Sequence, residues 1–316
     1  MKPDYAEVIS ATDYTEGLSE HPDIPQSDTG IVRTIGEKAK GFQGANFRIL
    51  DLGCGPGRIT KQIAEAIELI GRGRFTVEII GLDISQGFIE YAQKHLAHEA
   101  ITYVLADFLT HNFTSQFDVI VMQGMAHHVP TESREAWFKK CRAQLAADGL
   151  VIIGDEFVPN YETEEERLEN VAGLYAYVIA NAVQSKHKAL ADIESMNMVD
   201  DVSSGTTGAG HSDQELRDFI KNQSQIIYRA ASESGTKSET FRNLLTETVR
   251  RIKARSVEIA EVNHESHDRG DYKISIEAQK RQLTDFGFTL VDVKKYGPID
   301  WLGGMGVLTF KPAGQI

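Results

Sequence analysis

The stretch Arg48-Ile49-Leu50-Asp51-Leu52-Gly53-Cys54-Gly55-Pro56-Gly57-Arg58-Ile59-Thr60 decides the fold. Its apolar start reads as a buried strand. The loop after it has glycine at every second position, and a helix-competent apolar segment comes next. Only glycine lets a backbone come this close to a ligand, and such a loop opens a nucleotide-binding α/β unit. The loop amides and the N-terminus of the next helix are expected to form the cradle. Asp51 at the mouth of the loop argues against a pyrophosphate, because like charges repel, and for a ligand with positive charge.

Working outward, the same alternation continues. Apolar runs at 47–52, 77–82, 101–105, 117–122 and 150–154 read as strands, with helices predicted over 59–70, 86–96 and 133–146. Continuous apolar strands separated by helices imply a parallel sheet covered on both faces. A further helix is expected at 29–40, before the first strand. After 155 the pattern breaks. A helix is predicted over 164–190, with Leu168, Val171, Leu174, Tyr175 and Val178 at helical spacing. A Gly/Ser/Thr/Asp loop comes next, at 197–210. Ser212-Asp213-Gln214-Glu215 is a capping box for a second helix. A third is expected over 238–262, with Phe241, Leu244, Leu245 and Ile252 inward. Ser275 then caps a helix closed by Gly287, and strands return at 288–296 and 306–310. The expected fold is α/β: a doubly wound, seven-stranded, mostly parallel sheet formed by 1–155 and 272–316. A helical insertion, 156–271, separates its fifth and sixth strands and is too long for a simple connection.

The 316 residues carry a formal net charge of −13, most of it in the insertion. That balance speaks against a nucleic-acid partner. No stretch approaches the roughly 20 apolar residues of a membrane span. The N-terminus lacks the apolar region of a signal peptide, and two cysteines, Cys54 and Cys141, make neither a disulfide framework nor a zinc site. The expected setting is a reduced cytoplasm, with no membrane partner and no metal.

Several segments carry a resemblance together. They are the Asp51-x-Gly53-x-Gly55-x-Gly57 loop; Ile79-Ile80-Gly81-Leu82-Asp83-Ile84-Ser85; Asp107-Phe108 after the third strand; and Met122-Gln123-Gly124-Met125-Ala126-His127-His128-Val129-Pro130 after the fourth. In order and spacing they resemble the class I S-adenosylmethionine (SAM)-dependent methyltransferases over about residues 44–156, and more loosely over 275–312. The resemblance implies a Rossmann-like fold and SAM as cofactor. It places Asp51 at the amino end of the methionine moiety, with Gly53, Cys54, Gly55 and Gly57 lining it. It places Asp83 on the ribose hydroxyls, with Ile84 adjoining, and Asp107 and the Phe108 amide at the adenine. The backbone of Gln123 or Gly124 would lie beside the methionine moiety. His127 and His128 have two readings: a general base facing the methyl acceptor, or loop histidines that fix the start of the next helix. The pair supplies too few ligands for zinc.

The acceptor side is less defined. Asp155 and Glu156 end the fifth strand, where residues face the ligand crevice. They either hold a cationic or hydroxyl-bearing acceptor or cap the segment after the strand. Tyr175 and Tyr177 fit a pocket wall and fit helix packing. The ionisable run 263–272 is either an acid–base cluster or a solvated loop. Tyr5 and Tyr14 lie in a segment that, by the resemblance, folds over the cofactor. The insertion is expected to act as a lid that excludes macromolecules, or as the arm of a homodimer. The expected activity is methyl transfer to an oxygen or nitrogen of a small or medium-sized organic molecule. Modification of a peptide or protein side chain, and SAM binding without methyl transfer, are the alternatives.

Overall fold

Strand β1 (Asn46–Leu52) lies inside a seven-stranded sheet whose side chains alternate between two covered faces. The computed structural model describes residues 10–184 and 272–314 and scattered positions between 222 and 251. The 197–210 loop, the capping box at 212–215, Tyr5 and positions 263–271 lie outside the described residues.

Helices α1 (Ala11–Glu20) and α2 (Ile24–Lys40) precede β1; α2 starts five residues before its expected position, with Pro25 in its first turn. After β1 come α3 (Arg58–Gly71), β2 (Thr76–Asp83), α4 (Gln86–His95), β3 (Ile101–Leu105), β4 (Phe117–Gln123), α5 (Arg134–Gln144), β5 (Leu145–Phe157) and α6 (Glu164–Gln184). The chain ends with α7 (Ile276–Asp285), β6 (Phe288–Tyr296) and β7 (Gly304–Pro312). Ser275 caps α7 by accepting from the Ala278 amide, as its sequence implies.

The strand order is β3-β2-β1-β4-β5-β7-β6. The first five strands are parallel, and β7 runs antiparallel between β5 and β6. Ile49, Val119, Val121 and Ile152 face one side, against Ile31 and Ile35 of α2 and Ile63 and Ile67 of α3. Leu50, Leu52, Ile120, Met122, Val151 and Ile153 face the other, against Phe138 and Cys141 of α5 and Leu283 of α7. Burying each such side chain stabilises the fold by about 1.5–3 kcal/mol, so this layer holds the strand ends rigid.

β5 is longer than the apolar run 150–154 suggests. Asp155, Glu156 and Phe157 pair with Gly306, Met305 and Gly304 of β7, and Val158 bridges to Ser275. The expected boundary at 155/156 therefore cuts through a strand. Helix α6 lies beyond it. Its Leu174 packs at Gly303, and its Ala176 packs with Phe241 and Leu302.

Candidate active site

The order of the strands reverses between β1 and β4, and ligands bind at the carboxyl ends of strands beside such a switch point. Four strands carry polar residues at or beside those ends: β2 Asp83, β1 Asp51, β4 Gln123, and β5 Asp155 and Glu156.

Asp51 is fully buried. Its Oδ2 accepts from the Thr60 hydroxyl at 2.6 Å, and its Oδ1 has no hydrogen-bond partner among the described residues. Burial pushes its carboxyl up to about 7; the Thr60 bond opposes this and the nearby Asp83 carboxylate adds to it.

The loop glycines divide by role. A Cβ at Gly57 (φ +88°) would meet the Tyr103 hydroxyl at 2.5 Å, and one at Gly53 would run into Met125, so these two serve packing. A Cβ at Gly55 (φ +53°) would meet nothing nearer than Phe88 and Tyr14, both at 3.9 Å. That open space is roofed by Tyr14 of α1, whose ring stacks near Phe88 with centroids 5.1 Å apart.

The expected amide cradle is not what this loop presents. The amides of Gly53 and Cys54 donate to the Leu82 carbonyl, that of Gly57 to the Cys54 carbonyl, and that of Gly55 to Asp83 Oδ2 at 2.8 Å. A strand-to-helix turn this tight consumes its own donors. Cys54 is a correction as well: its side chain is buried with Ile89, Ala92 and Tyr103, away from the ligand side. The Phe108 ring sits in the core at 4.5 Å from Trp137, and the expected adenine contact calls only on its backbone amide. Asp107 is exposed and accepts from the Leu109 amide. Asp83 also accepts from the Ser85 amide, and Ile84 beyond it stands 76% exposed.

Gln123 turns its side chain toward α2, donating to Ser27 Oγ and Asp28 Oδ1, both at 2.9 Å. Asp28 also pairs with Arg58 at the start of α3. Gln123 Oε1 and Arg58 Nε have no hydrogen-bond partner among the described residues. Asp28 and Arg58 were not legible as site residues, because nothing local links positions thirty apart.

At β5 the two acidic residues face opposite ways. Asp155 is taken up by the turn after β4. It receives the His127 amide on Oδ2 at 2.9 Å and the His127 ring Nδ1 on Oδ1. His127 lies in the short 3₁₀ turn Ala126–His128 after β4, with the His128 ring 4.1 Å away. Glu156 lies in a buried ionic group with Lys273 Nζ at 3.3 Å and His21 Nε2 at 3.6 Å. Burial would raise its carboxyl, but Lys273 and His21 outweigh that and hold it below the usual carboxylate range. Tyr175 closes this group through its hydroxyl on Lys273 Nζ. His21 and Lys273 are the residues that sequence reasoning missed here; the ionisable run ending at Tyr272 stopped one position short.

Residues 49–149 match the methyltransferase domain family. Over those residues the chain is similar to methyltransferase domains. It is 26% identical to a carboxy-S-adenosyl-L-methionine synthase of Mannheimia succiniciproducens, over 50% of this chain and 65% of that protein. It is 28% identical to a ubiquinone biosynthesis O-methyltransferase of Actinobacillus pleuropneumoniae, over 39% of this chain and 57% of that one. The chain thus spans between about half and two thirds of these relatives. Among solved structures, a DhpI–SAH complex is similar with a TM-score of 0.45 and 13% identity, covering 92% of this chain and 88% of that one.

The residues of the methyltransferase domain fit SAM. The unpartnered acceptors on Asp51 and Gln123 suit an ammonium, and the unpartnered donor on Arg58 suits a carboxylate. The open space over Gly55 admits the chain of the ligand, and Ile84 offers apolar surface beside the carboxylate of Asp83.

Proposed function

We propose that this protein is a SAM-dependent methyltransferase whose acceptor is a small or medium-sized organic molecule. The observation that carries the reading is the buried, unpartnered Asp51 Oδ1 beside the open face of Gly55. A carboxylate left without a partner in a dry site is costly unless a cation completes it. When bound, SAM supplies an electrophilic methyl group on a cationic sulfur. Asp51, Gln123 and Arg58 bind the amino-acid end, Asp83 the ribose, and Asp107 with the Phe108 amide the adenine. Tyr14 and α1 keep water off the loop. Methyl transfer disperses charge, so alignment in a dry pocket is the chain's main contribution. The acceptor lies toward β4 and β5, beside His127. We take the insertion as a lid, as its length suggests, and this favours a small molecule over a protein side chain.

A second reading is a reaction at SAM other than methyl transfer, favoured by the names of several relatives, which are carboxy-S-adenosyl-L-methionine synthases. One experiment separates the two. The protein is incubated with methyl-labelled SAM and fractionated extract of the source cell, and products are weighed by mass spectrometry. A new compound heavier by one CH₂ and carrying label supports methyl transfer. Label retained in an altered SAM supports the second reading.

A further inference from the structure

We propose that His21 is a positioning residue of the cofactor site: the end of β5 holds it, and it holds helix α1 with Tyr14 over the glycine loop. The inference rests on the SAM-binding reading above. Helix α1 is too weak to place itself. It has ten residues, fewer than the about 12–15 that an isolated helix needs in water. Thr15 and Ser19 donate their hydroxyls back to the Ala11 and Thr15 carbonyls, and Gly17 lies between them, all of which disfavours a helix. Its position therefore comes from the elements it packs on, α2 and α4, and from the joint at 21–23 that leads into α2.

His21 governs that joint. Its amide donates to the Leu18 carbonyl at 3.4 Å and closes α1. Its ring Nδ1 accepts the amides of Asp23 and Ile24, at 3.1 and 3.2 Å, and opens α2. These are two of the donors that a helix start leaves unpaired. A ring nitrogen that accepts carries no proton, so the proton is on Nε2. Nε2 faces Glu156 Oε1 at 3.6 Å, an electrostatic contact between side chains that are 1% and 12% exposed. Glu156 is fixed in turn. Its backbone pairs with Met305 of β7, its second oxygen lies 3.3 Å from Lys273 Nζ, and Lys273 is held by the Tyr175 hydroxyl of α6. Beside His21, the Asp23 carboxylate packs on Gly297 (φ +76°), where a Cβ would strike it. A line of contacts thus runs from α6 and the segment before α7, through Glu156 and His21, along α1 to Tyr14. When the contact at Glu156 is lost, α1 spends part of its time off the loop. Only the fraction with α1 in place holds the cofactor tightly, and the apparent affinity falls with that fraction.

The test uses the full chain with His21→Asn. Asparagine accepts the amide two residues on, so the joint keeps a cap, but its side chain is too short to reach Glu156. Hydrogen exchange without ligand, read by mass spectrometry, should speed up in 11–20 and stay unchanged in β4. S-adenosylhomocysteine should bind roughly 3–30-fold more weakly by calorimetry, and should leave faster in stopped flow. Tyr14→Ala should weaken binding as well. In that background His21→Asn should add little, because the roof is already gone. Lys273→Met with Glu156→Gln removes the charge that His21 faces and no group at the glycine loop. This pair should also speed exchange in 11–20 and ligand release, and it reads the same link if His21→Asn does not fold. Unchanged exchange in 11–20 overturns the proposal. So does unchanged affinity. Effects of His21→Asn and Tyr14→Ala that add in full overturn it too, since a general loss of stability gives that result. A wild type that takes no S-adenosylhomocysteine overturns the SAM reading, and exchange in 11–20 then still decides whether His21 holds α1.

Discussion

Asp51 behaves unlike an ordinary carboxylate, because burial raises it to about 7 against the opposing Thr60 hydrogen bond. The native state therefore binds a proton that the unfolded chain releases near pH 4. This group's contribution to stability is present below that pH and is lost as pH rises toward 7, the reverse of a salt-bridged aspartate. A bound ammonium stabilises the charged form instead. S-adenosylhomocysteine affinity should thus weaken as pH falls below about 7, and Asp51→Asn should flatten both dependences. Calorimetry and thermal melts across pH check this. The glycines give a second prediction. Gly55→Ala should fold, at a cost of about 1–2 kcal/mol for its left-handed backbone, and bind ligand poorly. Gly57→Ala should lose more stability, because its Cβ also meets the Tyr103 hydroxyl; paired melts and ligand titrations separate the two. The motif showed where these residues lie, but not that Gly53 and Gly57 serve packing while Gly55 alone borders open space. That distinction depends on Met125 and Tyr103, which no local pattern connects to the loop.

Among the elements, β5 shows how one strand end can feed two networks. Its alternation sends Asp155 to the His127 turn and Glu156 to Lys273, His21 and Tyr175. Lys273→Met should destabilise the protein by about 3–5 kcal/mol, since it leaves Glu156 buried with weaker compensation. Adding Glu156→Gln should recover much of that loss, and denaturant melts of the single and double variants read the coupling. Helix α6 is docked by Val171, Leu174 and Val178, all buried. Its amides should exchange as slowly as those of β4 without ligand. Hydrogen exchange read by mass spectrometry tests this; fast exchange in unliganded α6 would contradict it. The strands were legible because parallel strands buried on both faces are continuous apolar runs. β5 outran its apolar core because β7 pairs with its polar end. The Lys273–Tyr175 contact joins positions 98 apart and has no sequence signal.

For the molecule as a whole, the sheet sets the Asp51 and Asp83 ends of β1 and β2 beside the polar ends of β4 and β5, joined where Met125 crosses Gly53. The β1 and β2 ends were legible from the spacing of their glycine loop and carboxylates. The groups around the β4 and β5 ends were not, because they come from α1–α2, β4, β5, α6 and the segment before α7, brought together only by folding. Among the described residues no helix is long and apolar enough to cross a membrane. The charge of −13 disfavours a polyanionic acceptor. The central claim is that Asp51, Gly55 and Asp83 form a SAM site, and isothermal calorimetry of the full chain with S-adenosylhomocysteine tests it most directly, with NAD as control. The account predicts saturable binding of S-adenosylhomocysteine, weakened by about 1–3 kcal/mol in Asp83→Ala, and no heat from NAD. Absence of S-adenosylhomocysteine binding, or saturable binding of NAD instead, would contradict it.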